Sequence, residues 1–216
     1  MRILHILDHS IPLHSGYTFR TLAILKAQRA LGWETFHVTS AKHTNSSALE
    51  EQVDDWHFYR TPGHAHPISK LPVLNQISVI NSLSRRIIDI AQSIKPDILH
   101  AHSPALNAIP ALHAARKLKI PVVYEVRAFW EDAAVDHGTS QEWGIRYRLT
   151  RGLENHALRR VDAITTICEG LRNDMIGRGI APEKITTIPN AVDIEKFSMS
   201  HAVDEVLKER LGLKHK

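Results

Sequence analysis

The stretch 161–197, VDAITTICEGLRNDMIGRGIAPEKITTIPNAVDIEKF, constrains this chain more than any other. Within it, 163–168 is an apolar, threonine-interleaved run of strand length. Glu169 then opens a helix in which Leu171, Met175 and Ile176 are spaced for one buried face. Gly177 and Gly179 end that helix, as glycines do just past a last turn, and Pro182 reinforces the stop. The segment 184–188 returns as a second short strand, and Pro189-Asn190 turns the chain out of it. A strand, a crossover helix and a strand within about 30 residues make a βαβ unit. Such a unit pairs its strands in parallel and closes with a right-handed crossover.

The rest of the chain repeats the alternation. Strand-like runs occupy 2–7, 34–40, 53–60, 96–102 and 120–126, and helical spacing marks 16–31, 74–93, 104–118 and 143–160. In 16–31 the pattern rests on Phe19, Leu22, Ala23, Ala27, Ala30 and Leu31, with Gly32 as the cap. This predicts an α/β chain with a Rossmann-like, doubly wound, mainly parallel sheet of about seven strands and helices on both faces. The segment 129–141 reads as an irregular functional loop, because it is long, aromatic and acidic. On this reading 1–197 is one domain, and 198–216 is a linker or the start of another.

Composition bounds the function classes. Hydrophobic residues make up 43% of the 216, enough for one sizeable core. The first run is too short for a signal peptide, and no apolar run approaches the roughly 20 residues of a membrane span. A single cysteine, Cys168, placed in an apolar strand, permits no internal disulfide and suits a cytoplasmic setting. A net charge of +4 leaves anionic partners open without demanding nucleic acid.

In a doubly wound sheet, ligands bind beyond the carboxyl ends of the strands where strand order reverses. Here that point lies between the strands 2–7 and 96–102, so the loops 8–16, 100–104 and 124–132 should converge. The first loop, DHSIPLHSG, brings Ser15 and Gly16 to a helix start, where bare amides and the helix dipole can meet a phosphate. The plainer reading is that Ser15 simply caps the helix, and no GxGxxG fingerprint is present.

The second loop holds His100 and His102 on one side of a strand. His-x-His can bind a metal, but no complete ligand set is evident, although His5, His9 and His14 lie on or after the neighbouring strand. No metal is expected; one imidazole should be packed and the other hydrogen-bonded. The third loop, YEVRAFWED, sets carboxylates beside an arginine, which suits sugar hydroxyls or acid–base work. Trp130 could stack on a sugar ring or turn into the core. The whole face is expected to be open, with His9, His14, His102 and Arg127 hydrated. The helix 143–160 carries Arg146, Arg148, Arg151, Arg159 and Arg160 with Trp143 and Tyr147. That pattern suits peripheral contact with an anionic membrane, or a solvated face.

The run Ile188-Pro189-Asn190-Ala191-Val192-Asp193, followed by Phe197, resembles the Ile-Pro-Asn-Gly-Val-Asp segment of family 4 glycosyltransferases. In that GT-B group the segment closes the N-terminal domain; Ala191 stands where glycine is usual. The resemblance covers most of the chain. It implies a retaining, nucleotide-sugar-dependent transferase acting in polysaccharide or glycolipid synthesis. The donor would be a nucleotide sugar, with no other cofactor, and the acceptor a glycan or lipid-linked molecule at the inner face of the membrane. It implies that Ser15 and Gly16 face the donor diphosphate, where many relatives carry two glycines, and that His100 and His102 shape the cleft. Many similar enzymes carry Thr-x-His-Asp where this chain has Glu125-Val126-Arg127-Ala128, so the catalytic assignment goes to Arg127 and Glu125. The acceptor side of the cleft is assigned to His9, His14, His100, His102, Trp130 and Glu131. The Tyr-Glu-Val-Arg run with its following Trp-Glu also occurs in subgroups tied to exopolysaccharide and exosortase loci.

Enzymes of this group hold the donor mainly on a second domain, which typically carries two glutamates separated by seven residues. No glutamate here has another eight positions on. The chain therefore resembles an acceptor-side half, inactive until a C-terminal domain completes it. Two other readings stand beside this one: a non-catalytic Rossmann-like binding module, and a histidine-rich metal hydrolase.

Overall fold

A computed structural model describes residues 1–43, 48–62, 72–192, 194 and 205–212, apart from the side chains of 72–75. Asp193 and Phe197 of the Pro-Asn motif lie outside the described residues.

The run RILHIL forms β1 (Arg2–Leu7). It lies between parallel neighbours on both sides, β2 (Glu34–Thr39) and β5 (Ile98–His102), which is why nearly all of it is buried. From β5 the sheet continues through β6 (Val122–Val126), β7 (Ala163–Thr166) and β8 (Ile185–Thr187), all parallel. From β2 it continues to β4 (Trp56–Arg60), which pairs antiparallel with the edge strand β3 (Glu50–Val53). The eight strands run β3-β4-β2-β1-β5-β6-β7-β8, and strand order reverses between β1 and β5, as expected.

The helices are α1 (Gly16–Ala30), α2 (Pro72–Ile94), α3 (Ala105–Leu118), α4 (Trp130–Asp136), α5 (Ile145–Arg160), α6 (Glu169–Gly177) and α7 (Glu205–Arg210). The two faces of the sheet are unequal. Leu4, Ile6, Leu99, Ala101, Tyr124 and Ile164 meet side chains of α2, α3, α5 and α6 in one large core. Burying each large apolar side chain there contributes roughly 1.5–3 kcal/mol. Under α1 a smaller cluster gathers Leu7, Ile11, Leu25, Trp56 and Phe58.

Four expectations are corrected. The run 53–60 is not one strand: it turns at Asp54, whose φ of 51° is left-handed, and so splits into the β3–β4 hairpin and raises the strand count to eight. The supposed irregular loop 129–141 contains α4, whose first turn carries Glu131 and Asp132, acids that favour a helix start. Cys168 is exposed at the N-cap position of α6 rather than packed in a strand. Gly177 is the last helical residue of α6; the turn itself is made by Gly179, at φ +85°.

Candidate functional site

Side chains alternate along a strand, so with Leu4 and Ile6 committed to the large core, His5 faces α1. By the same alternation His100, His102 and Glu125 face α1, since Leu99, Ala101, Tyr124 and Val126 belong to the large core. Register then brings them together, with His5 opposite His100 across β1–β5 and His102 opposite Glu125 across β5–β6. The sheet face beneath α1 therefore carries a polar patch beside its apolar cluster.

Glu125 is the centre of this patch. Its Oε1 accepts from Arg20 Nε at 2.7 Å and from Arg127 Nε at 2.9 Å. Its Oε2 lies 3.5 Å from His100 Nε2 and 3.5 Å from His102 Nδ1. Burial by itself would raise its pKa, but His102, His100 and Arg127 reverse that effect and hold the carboxyl well below the usual carboxylate range. His5 and His102 are kept neutral, chiefly by burial. A neutral His102 cannot supply that charge, so the cations that hold Glu125 ionised are the guanidiniums of Arg20 and Arg127. A carboxylate so stabilised as an anion takes up no proton near neutral pH; what it does is hold two arginines in place.

Arg127 spends its donors on the chain. Nη1 donates to the Tyr17 carbonyl at 2.8 Å, and Nη2 to Thr21 Oγ1 at 3.0 Å and His102 Nδ1 at 2.6 Å. The guanidinium also lies 4.3 Å from the Tyr17 ring centroid. Since a guanidinium can only donate, His102 Nδ1 must accept. The Nε2–H of His102 then donates to His5 Nδ1 at 2.9 Å, and the Nε2–H of His5 to Gln28 Oε1 at 2.9 Å. One non-titrating donor thus fixes both tautomers.

The expected open, hydrated face is corrected here. His102 is fully buried, and the Arg127 side chain is only 9% exposed, because the charge of Glu125 draws the guanidiniums in under α1. His5, His100 and His102 do bring ring nitrogens within 4.8 Å of one another, so of the three histidines named on or after the neighbouring strand His5 is the one that joins the pair. The ring nitrogens of His5 and His102 are already engaged in hydrogen bonds. His100 stacks on His102 with centroids 4.4 Å apart, and its Nε2 has no hydrogen-bond partner.

The first loop is built as a helix cap. Ser15 Oγ accepts from the Thr18 amide at 3.2 Å and bonds His9 Nε2 at 2.9 Å, and His9 lies against the Tyr17 ring. A Cβ built on Gly16 meets nothing within 4 Å. His14 is exposed and packs edge-on against Phe19. Trp130 is 45% exposed on α4. Glu131, assigned to the acceptor side, is buried and accepts from Arg178 Nη1 at 2.6 Å, which fastens α4 to α6.

Two arginines carry roles that pattern reading passed over. Arg20 joins Glu125 to the exit of the chain: Nη2 donates to the Ile188 carbonyl at 2.8 Å, and Nη1 to the Pro189 carbonyl at 3.1 Å and Asn190 Oδ1 at 3.0 Å. Arg60 holds the first loop from below, donating to Ser10 Oγ at 2.6 Å and to the Ile11 carbonyl at 2.8 Å while paired with Glu51. Nothing in local spacing marks either residue, because their partners are distant in sequence.

The family model for Glycosyltransferase Family 4 matches residues 15–196. A GDP-mannose-dependent alpha-mannosyltransferase of Mycobacterium tuberculosis is 24% identical over 211 residues, 97% of this chain and 52% of its own length. A protein of the same name from Mycolicibacterium smegmatis is 25% identical over 179 residues, 82% of this chain and 46% of its own. The chain thus spans about half the length of the curated relatives it matches. Among solved structures, sucrose-phosphate synthase from Thermosynechococcus elongatus superposes with a TM-score of 0.69 at 13% identity, over 98% of this chain and 52% of that one. The HepE protein of Anabaena, solved with UDP-glucose, gives 0.65 at 19% identity over 100% of this chain and 51% of its own. These structural likenesses bear on the fold. The family match takes in Ser15, Gly16, Arg20, Glu125, Arg127 and Asn190, and the chain belongs to Glycosyltransferase Family 4.

Proposed function

We propose that this chain is the N-terminal, acceptor-side half of a retaining glycosyltransferase that uses a nucleotide-sugar donor and is inactive without a donor-binding second domain. The observation that carries the reading is the Arg20 guanidinium. It ties the helix that starts at Gly16, the Glu125–Arg127 cluster and the Ile188-Pro189-Asn190 exit into one body at the carboxyl edge of the sheet. Transfer needs groups on both sides of a cleft to align donor and acceptor, and this chain offers one side.

In this reading the open space at Gly16 and the first-turn amides of α1 take the donor diphosphate. Glu125 and Arg127 shape the floor of the cleft, with His9 and His100 towards the acceptor. No metal and no cofactor beyond the donor takes part, which fits ring nitrogens of His5 and His102 that are already committed. The mannosyltransferase relatives are named for GDP-mannose and the HepE structure was solved with UDP-glucose, so both donors belong in the assay. The acceptor is a glycan or a lipid-linked glycan, met at the cytoplasmic face of a membrane.

The test is an assay of the 216-residue chain alone and joined to a family 4 donor domain, with both nucleotide sugars. Transfer is expected only from the joined protein. Robust turnover by the isolated chain would overturn the half-enzyme reading.

A further inference from the structure

The α5 helix packs Tyr147, Ala157 and Leu158 inward and carries a second apolar set on the opposite side. Ile145, Leu149 and Leu153 recur every four residues on its outer face and are 81%, 57% and 40% exposed. Trp143, 54% exposed, precedes the helix and packs beside the stripe, against Tyr147 and Arg151. Scattered exposed leucines need no explanation, but an ordered row on one helix does.

The charge on this helix is equally one-sided. Its only acid, Glu154, points inward and accepts from the Tyr124 hydroxyl at 2.6 Å. Arg146, Arg148, Arg159 and Arg160 are all exposed, and none pairs with a carboxylate among the described residues. The outer face of α5 is thus apolar and cationic, with every negative charge of the helix withdrawn from it. The chain leaves β6 at the carboxyl edge and must return to the amino edge to begin β7 in parallel, so α5 starts at the cleft edge of the sheet. No described helix is long and apolar enough to cross a membrane.

We propose that the outer face of α5 docks on an anionic lipid bilayer. Ile145, Leu149 and Leu153 enter the headgroup boundary, and the arginines meet lipid phosphates. This is the pattern of a helix lying in the plane of an interface, bound by buried apolar area together with cationic charge. A second copy of this chain is a poorer occupant, because a two-fold interface would press the four arginines of each copy against their equivalents. Docked this way, the cleft edge faces the lipid surface. The inference rests on the lipid-linked acceptor reading for its purpose alone, since docking requires no sugar transfer.

The test is flotation of the 216-residue chain with vesicles of phosphatidylglycerol and phosphatidylcholine, and with phosphatidylcholine alone. Binding is expected to the anionic vesicles only and to weaken with added salt. The pair Ile145→Glu and Leu149→Glu should cut the bound fraction about tenfold or more, and so should Arg148→Ala with Arg159→Ala. Circular dichroism of the variants should match the parent, because all four side chains are exposed. Absence of binding, equal binding to neutral vesicles, binding unchanged in both pairs, or a dimer dissociated by Leu149→Glu would each overturn it. Vesicle binding by a chain whose joined form transfers no sugar would sink the proposed function and leave this inference standing.

Discussion

Arg20 Nη2 donates to the carbonyl oxygen of Ile188 at 2.8 Å, although 168 positions separate the two in sequence. The same side chain holds Glu125 through Nε at 2.7 Å, so one arginine anchors both the charged cluster and the strand that leaves the sheet. Arg20→Ala removes all of these bonds together. We expect a loss of about 3 kcal/mol in urea unfolding, as for breaking a buried ion pair. Arg20→Lys should recover only part of it, because an ammonium cannot reproduce the planar fork. An unchanged midpoint in Arg20→Ala would show that the tie carries no stability.

Arg127 is expected to be structural as well. An open-face placement would keep Arg127→Ala within about 1 kcal/mol of the parent, as surface changes usually are. With four chain partners and 9% exposure, its loss leaves the His102 acceptor and the Glu125 carboxylate short of donors. The expected cost is about 3 kcal/mol. A melting temperature equal to the parent's would return Arg127 to the category of free cleft groups.

Gly16→Ala separates folding from binding. A Cβ there meets nothing within 4 Å, and alanine is the better helix former, so stability should hold or rise slightly. In the protein joined to a donor domain, the added methyl should weaken donor binding about tenfold, close to 1.4 kcal/mol. Unchanged donor affinity by titration calorimetry would remove Gly16 from the diphosphate site.

The pH dependence of stability should have two opposing arms. Burial raises the Glu154 carboxyl to about 7, with Glu131 adding to the rise and the Tyr124 hydroxyl bond working against it. The folded chain then keeps a proton that the unfolded chain gives up near 4.5, so this contribution is full below that pH and lost as pH climbs through 7. The gap corresponds to about 3 kcal/mol. His37, lowered to about 4 mainly by burial, works the other way, as do His5 and His102. Below 6.5 the unfolded chain takes up protons first, and stability falls as pH falls. Glu154→Gln should raise the melting temperature at pH 8.5 and change it little at pH 5. Superimposable pH curves for variant and parent would count against a protonated Glu154.

The order of elements and the position of the switch point were legible because they depend on local periodicity. The βαβ unit ending at Ile188 has its own start and stop signals, and β1 is a plain apolar run. The β3–β4 hairpin was hidden because its turn is Asp54-Asp55, with no glycine or proline to mark it. Helix α4 was hidden because it has seven residues and no side-chain cap. At the site, residue types in the right loops were readable, but their exposure was not. Whether Arg127 faces water depends on Tyr17 and Thr21, more than 100 positions away. The burial of Glu131 against Arg178, 47 positions on, leaves no mark on the local sequence. Arg20 fell on the polar side of a helix pattern, where arginines are ordinarily solvated.

Gly16 and Arg20 sit one turn apart on α1, a separation of about 6 Å along the axis. The helix between them has no hinge residue. It is a strut: backbone geometry sets the distance from the amides at its mouth to the base of Arg20, and the Arg20 side chain carries the grip on to the strand end. Tilting the mouth of α1 therefore strains the Arg20 bonds to Ile188 and Asn190. The point where the chain departs from the sheet is thus kept at a fixed offset from the empty space above Gly16.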